Sequence, residues 1–393
     1  MIQGMNRPVR PHGRWALLMV LAVVFSRLAA LWIFENADIV NDSGVAIKLG
    51  GKPAYLDYGA YKAHAATAWS ELTRPLHFAG LLLTDVPKAL VWLQSQPLKP
   101  GPVFPALLHW ADYENNRMLL SVLYVLGGAV LGGWWAVWLR DQGAAMWLQL
   151  MAACFPALVY YSFLVSTDLL FALVLAAWLS SAWAVLQGHR SAWKWAVLSM
   201  LLALLTRPNA LALLPLMCIL AWQGRRLGAW LGWCLFWGMA GLYMLIYYLP
   251  YYWVHDGNAA ATHYWGVLPS EYYRGMWADG PAWLTRPLSW LWLAVSKLMH
   301  AVGLRPSYAG LDLGLVLARA WPGLLFLPGL VYGLWAGRWF DRWFVFFFML
   351  PVFVGAAQER YVLAITPLLL LWGMKAWQCM GRWAWQKLSR LAG

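Results

Sequence analysis

The sequence predicts an all-α polytopic membrane protein, and three observations predict it. Of 393 residues, 62% are hydrophobic and 11% charged, whereas soluble chains carry about 45–50% apolar residues. The apolar residues gather in runs of about 20, the length a helix needs to cross about 30 Å of hydrocarbon. The 31 Trp and 18 Tyr suit the water–lipid boundary, where a ring sits in hydrocarbon while its N–H or O–H reaches water.

In chain order the runs lie at 15–34, 117–139, 144–163, 168–187, 192–206, 209–223, 228–249, 311–336, 343–356 and 361–379. That makes about 10 transmembrane helices (range about 9–12) in a single membrane domain, 1–393. The first run follows Arg7, Arg10 and Arg14 and is interrupted by Arg27. Its length and the lack of a small-x-small cleavage site favour an uncleaved span over a signal peptide. The runs at 192–206 and 209–223 are short and read as a hairpin thickened by its neighbours. An even number of crossings puts both termini on one side.

The charges orient this map. The formal charge of +13 is scattered between spans rather than collected on one soluble face, which argues against a nucleic-acid partner. One set of segments carries Arg7, Arg10, Arg14, Arg140, Arg190, Lys194, Arg225, Arg226, Arg338, Arg342, Lys375, Arg382, Lys387 and Arg390 against only Asp141 and Asp341. That is the positive-inside pattern of a cytoplasmic face. Asp38, Asp42, Asp168, Asp256, Glu271 and Glu359 then fall to the outer face, toward the periplasm or exterior if the membrane is a bacterial inner membrane.

Two long outer segments break the alternation, 35–116 and 250–310; loops of this length are usually functional or structured. The first holds the turn KLGGKP and amphipathic stretches at Tyr55–Trp69 and Val86–Gln94, read as interfacial helices. In the second, SWLWLAVSKLMHAVGL is interrupted by Lys297 and His300 and is placed at the interface. Cys154, Cys218, Cys234 and Cys379 lie in or at the ends of apolar runs without paired spacing, as packing residues do.

The chemistry-bearing candidates sit at the outer junctions. Asp38 and Asp42 are four apart, one face of a helix; each is either a solvated loop acid or cap, or a base for an incoming hydroxyl. The pair is also the place a hard divalent cation would bind; no other cofactor is indicated, and His64, His77, His109, His255, His263 and His300 lack paired-ligand spacing. KPGPVFPALL, with Pro100, Pro102 and Pro105, reads as a rigid extended connector in which Lys99 can reach a phosphate. YSFLVSTDLLFAL puts Asp168 at a helix start, where Ser166 or Thr167 caps and the carboxylate meets the positive dipole end. In LLTRPNALALLPL, Arg207 either snorkels or offers phosphate a guanidinium fork. In AQERYVLAITP, Glu359, Arg360 and Tyr361 are either an interfacial salt bridge beside a belt tyrosine or one wall of a site.

Taken in order, the acidic first loop with Asp42 and AIKLGGKP, KPGPVFPALL, STDLLF, LTRPNALALLP and AQERYVLAITP resemble the GT-C superfamily of polyprenyl-phosphate-sugar-dependent glycosyltransferases. That superfamily includes protein O-mannosyltransferases, lipid A aminoarabinose transferases and GPI mannosyltransferases. The similarity is scattered over about 35–370. It implies a multi-span fold, an outer-face active site, a polyprenyl-phosphate sugar donor, a lipid, glycan or protein acceptor, and a first-loop base that maps onto Asp42. Ser43 stands where many relatives carry a second acid, which keeps Asp38 as a rival base, and Gly101 separates two prolines that others place together. On that basis Arg207 and Arg360 are candidates to neutralise the leaving phosphate, Tyr361 to orient phosphate or sugar, and Glu359 to hold Arg360. The alternatives are a transporter or flippase of lipid-linked sugars, and an outer-face ligase or polymerase using a diphosphate carrier. Against a transporter, the acids lie in outer loops and the sequence displays no matching pair of broken helices in two halves.

Overall fold

The computed structural model describes residues 13–37, 48–50, 77, 80–81, 83–94, 103–113, 115–189, 191–223, 291, 295, 298–299, 301–302, 320–354 and 359–392. Every regular element among them is helical, and they belong to two units, Met1–Val254 and His255–Gly393. Tyr55–Trp69, the run at 228–249 and nearly all of 250–310 lie outside the described residues. Four helical segments are long and apolar enough to cross a membrane, Gly13–Asn36, Arg117–Asp141, Thr167–Leu186 and Val362–Arg390, and Met146–Ser162, Ala192–Thr206 and Gly323–Ala336 are shorter apolar ones. The fold is that of an all-α membrane protein.

In the first unit, α1 (Gly13–Asn36) exposes Leu17, Val20, Leu21, Phe25, Leu28 and Trp32, side chains that hydrocarbon accepts at no penalty. An exposed helix α2 (Val86–Gln94) stands where the amphipathic stretch predicts one. The second half of the proline-rich connector is helical rather than extended: α3 (Val103–Trp110) begins inside it with Pro105 in the first turn, where a missing N–H removes no helical hydrogen bond. The chain turns through Asp112 at φ 46°, and the Asn116 side chain accepts from Leu119 N to start α4 (Arg117–Asp141).

The run expected as one span over 144–163 is two helices, α5 (Met146–Ala153) and α6 (Pro156–Ser162). Pro156 has no N–H to continue the ladder, so the carbonyls at the end of α5 need other donors. Arg27, in the middle of α1 and 4% exposed, supplies one: its Nη1 donates to Ala153 O at 2.6 Å and its Nη2 to Gly128 O at 2.8 Å. Gly132 on α4 makes room for this contact, because a Cβ there would stand 2.7 Å from Ala153 O and 3.1 Å from the guanidinium.

Helices α7 (Thr167–Leu186) and α8 (Ala192–Thr206) follow as an antiparallel hairpin, then a 3₁₀ turn Pro208–Leu213 and α9 (Leu214–Gln223). One end of the unit is tied by Trp15 Nε1 donating to Gln149 Oε1 at 2.7 Å and by Arg140 over the Trp15 ring. The other end is tied by Phe34 edge-on to Phe163 and by Tyr124 Oη donating to Ser166 O at 2.7 Å.

In the second unit, α10 (Gly323–Ala336) packs on α12 (Thr366–Ala392), with α11 (Trp339–Val354) and a 3₁₀ segment Glu359–Ile365 between them in sequence. Gly329 and Gly333 face α12: a Cβ on Gly329 would lie 2.6 Å from Gly373 N and Leu369 O, and one on Gly333 would overlap the Trp372 ring. Small residues four apart let two membrane helices approach this closely. The last span begins differently from expectation. Residues 359–365 are 3₁₀ and the α-helix starts at Thr366, because the Pro367 ring collides with the carbonyl four residues earlier and cannot bond to it. Pro215 has the same effect on the run at 209–223.

Candidate functional site

The structure joins two residues that the sequence leaves separate. The α7–α8 hairpin returns the chain so that Asp168, in the first turn of α7, and Arg207, at the C-cap of α8, form a salt bridge between Oδ1 and Nη1. The Asp168 side chain is 2% exposed and that of Arg207 16%. Arg207 also stands 5.9 Å over the Phe171 ring, so its stem and one face are covered and its head is oriented. It does not simply snorkel; a buried carboxylate holds it.

The capping expectation at this junction is corrected. Ser166 occupies the N-cap position with extended backbone, yet its hydroxyl makes no capping bond. Its Oγ is buried without a hydrogen-bond partner among the described residues. The Ser166 carbonyl instead receives the Tyr124 hydroxyl. What lies here is a 20-residue helix with an uncapped N-terminus, beside a guanidinium and a buried hydroxyl. The exposed N–H groups and positive dipole end of such a helix favour anions. The Asp168 carboxylate takes part of that favourable field, leaving a polar and nearly neutral pair inside an apolar bundle.

Other groups converge on this end. The chain leaves α1 next to Phe34, whose ring touches Phe163 and Tyr160. Glu35 Oε1 accepts from Leu49 N at 3.0 Å, which brings the LGG turn of KLGGKP back to it, and Gly50 lies against Met118 at the start of α4. Helix α3, downstream of Lys99, packs on α8. The charges of the first unit therefore separate: Arg140 and Asp141 near Trp15, and Glu35, Asp168 and Arg207 at the opposite end.

Asp38, Asp42 and Lys99 lie outside the described residues. Glu359, Arg360 and Tyr361 open the 3₁₀ segment before α12, and their side chains lie outside the described ones. Among the described residues no group of three or more His, Cys, Asp or Glu is placed to hold a metal. Tyr124 and Glu35 carry no signal in the sequence, and Ser166 and Arg27 are visible there only as a cap and as an interruption of the first span. Arg27 carried the clearest signal, a charge in the middle of an apolar run, where ionisable residues are rare and have partners.

The two units also share a construction. RPNALALLPL and RYVLAITPLL each place an arginine at the head of a 3₁₀ segment that a proline converts to α-helix, at Pro208–Leu213 and Glu359–Ile365. No family model, curated protein or solved structure matches the chain, so the GT-C resemblance stands on the quoted motifs alone.

Proposed function

We propose that the protein is a membrane glycosyltransferase that moves a sugar from a polyprenyl-phosphate carrier to an acceptor hydroxyl with inversion. The observation that carries this reading is the Asp168-held Arg207 beside the uncapped α7 N-terminus and the buried Ser166 hydroxyl. Such a place suits one phosphate: a guanidinium fixed in orientation, helix N–H groups and a hydroxyl donor, all shielded from water. In the reaction, the Asp42 carboxylate takes the acceptor proton as the acceptor oxygen forms its bond to the anomeric carbon. The bond from that carbon to the phosphate oxygen breaks and its electron pair leaves with the lipid phosphate, stabilised by Arg207; Arg360 is the other candidate for that role. Asp38 is the rival base; Tyr361, Glu359 and Lys99 are assigned to orienting donor and arginine. Proton transfer accounts for about 10²–10⁴-fold and positioning with electrostatics for the rest.

The test is incubation of purified protein with a panel of polyprenyl-phosphate sugars, read as lipid-phosphate release with and without acceptor hydroxyls. No release from any donor, in protein that binds them, removes the reading. A second reading, translocation of a lipid-linked sugar, draws on the paired 3₁₀-to-α helices and the broken α5–α6 with its buried arginine. Donor crossing vesicle membranes intact would select it, and release only from diphosphate-linked donors would select a ligase or polymerase.

A further inference from the structure

Helix α12 continues beyond the body of its unit. Residues 362–373 are buried, and every residue from Trp377 to Arg390 is exposed. The seven residues of the 3₁₀ segment and the helix from Thr366 to Ala376, at rises of about 2.0 and 1.5 Å per residue, together cover about 30 Å, the hydrocarbon thickness. Counted from Glu359, burial therefore ends about one hydrocarbon thickness along this segment. The remainder of the helix, 377–392, is about 24 Å long, far more than one headgroup layer of about 5–8 Å.

That remainder is amphipathic. Trp377, Gly381, Ala384, Trp385 and Leu388 recur at spacings of three and four and share a face, with Gln378 and Ser389 at its edge and Arg382, Gln386, Arg390 and Trp383 away from it. Trp377 Nε1 donates to Leu324 O of α10 at 2.9 Å; past that contact, Trp385 and Leu388 are 74% and 62% exposed. The Lys387 ammonium stands 5.1 Å from the Trp383 ring at the flank of the apolar face. From Thr366 to Ala392 the helix carries Lys375, Arg382, Lys387 and Arg390 and no acid.

We propose that residues 377–392 form a membrane-surface helix that binds the phosphate-bearing headgroups of anionic lipids in the leaflet where this span ends. The charge decides the occupant: a second copy of the helix would set cation against cation with no acid to pair. An anionic lipid surface instead takes Trp385 and Leu388 into the headgroup–acyl boundary while the three cations reach phosphates. Gly381, with nothing within 4 Å of where a Cβ would stand, is the weakest turn of the helix and the place for it to bend onto the surface.

The full-length native chain in nanodiscs of phosphatidylcholine, or of phosphatidylcholine with about one-third phosphatidylglycerol, tests this through tryptic cleavage after Arg382, Lys387 and Arg390. Cleavage is expected to slow at least about tenfold with the anionic lipid. A second readout uses Leu388→Cys carrying an environment-sensitive fluorophore, with the native cysteines replaced: its emission shifts blue and is quenched by headgroup-proximal nitroxide lipids in the anionic discs. Replacing Arg382, Lys387 and Arg390 by Gln abolishes the shift. Equal cleavage in both lipids, iodide quenching indifferent to composition, or lipid-independent crosslinking of Leu388→Cys between two copies would each overturn the proposal.

Discussion

Arg27 offers the sharpest test of how the first unit is held. Its guanidinium makes two charge-assisted bonds, one to Ala153 O at the α5–α6 break, at 2.6 Å from Nη1, and one to Gly128 O on α4. Arg27→Lys keeps a buried charge but replaces the planar fork by a single ammonium of shorter reach, so one of the two bonds is lost, about 1.5–3 kcal/mol. Arg27→Met strands Ala153 O, about 1–3 kcal/mol, and loses the Gly128 contact, but it also relieves the several kcal/mol needed to bury a guanidinium. The chemically conservative change is therefore expected to be the more harmful: Arg27→Met costs about 1 kcal/mol and Arg27→Lys about 2–3 kcal/mol. At about 2–4 °C per kcal/mol for a unit of this size, Tm falls by about 2–4 °C and about 4–12 °C respectively. In a chain whose other cysteines are replaced, a thiol-reactive dye reports the melt, because Cys154 is partly buried at the break with its Sγ on Ala22 O. Equal Tm for Arg27→Lys and the native chain, or a lower Tm for Arg27→Met than for Arg27→Lys, would refute the clamp.

Asp168→Asn leaves Arg207 without its counter-charge; with the guanidinium 16% exposed, the loss is about 2–3 kcal/mol, below the about 3–5 of a fully buried pair. Adding Arg207→Gln should recover part of it, measured as a double-mutant cycle in Tm. Gly329→Ala and Gly333→Leu push α12 off α10, with about 1–3 kcal/mol lost for the smaller change and a larger loss for the bulkier one, read by the helical circular-dichroism melt. On the proposed reaction, Asp42→Asn lowers single-turnover transfer by about 10²-fold or more while donor affinity is kept, and Asp38→Asn has the smaller effect; a reversed order moves the base to Asp38. Ser70→Cys should react with an impermeant thiol reagent on intact cells and Ser389→Cys should not, each in a chain without native cysteines; labelling at Ser389 inverts the topology.

The sequence by itself determined the solvent of this protein and the kind of element it is built from. Hydrophobic runs of membrane length can satisfy their backbone only as helices, and the spans at 15–34, 117–139 and 168–187 correspond to α1, α4 and α7 nearly residue for residue. What it did not contain were the relations between spans. Breaks at Pro156, Pro215 and Pro367 depend on whether a neighbour supplies the donors that proline removes, and Arg27 is such a neighbour, separated by 126 residues from the carbonyl it serves. Asp168 and Arg207 each read as an ordinary helix-end residue, with their pairing 39 positions apart visible only once the hairpin closes. The serine that propensity assigns to capping makes no capping bond, and its carbonyl is instead tied to Tyr124 on a helix 42 positions away, a contact that no local pattern predicts. Local chemistry names the residue types at each end of the membrane; only the packing of one helix on another decides which of them meet.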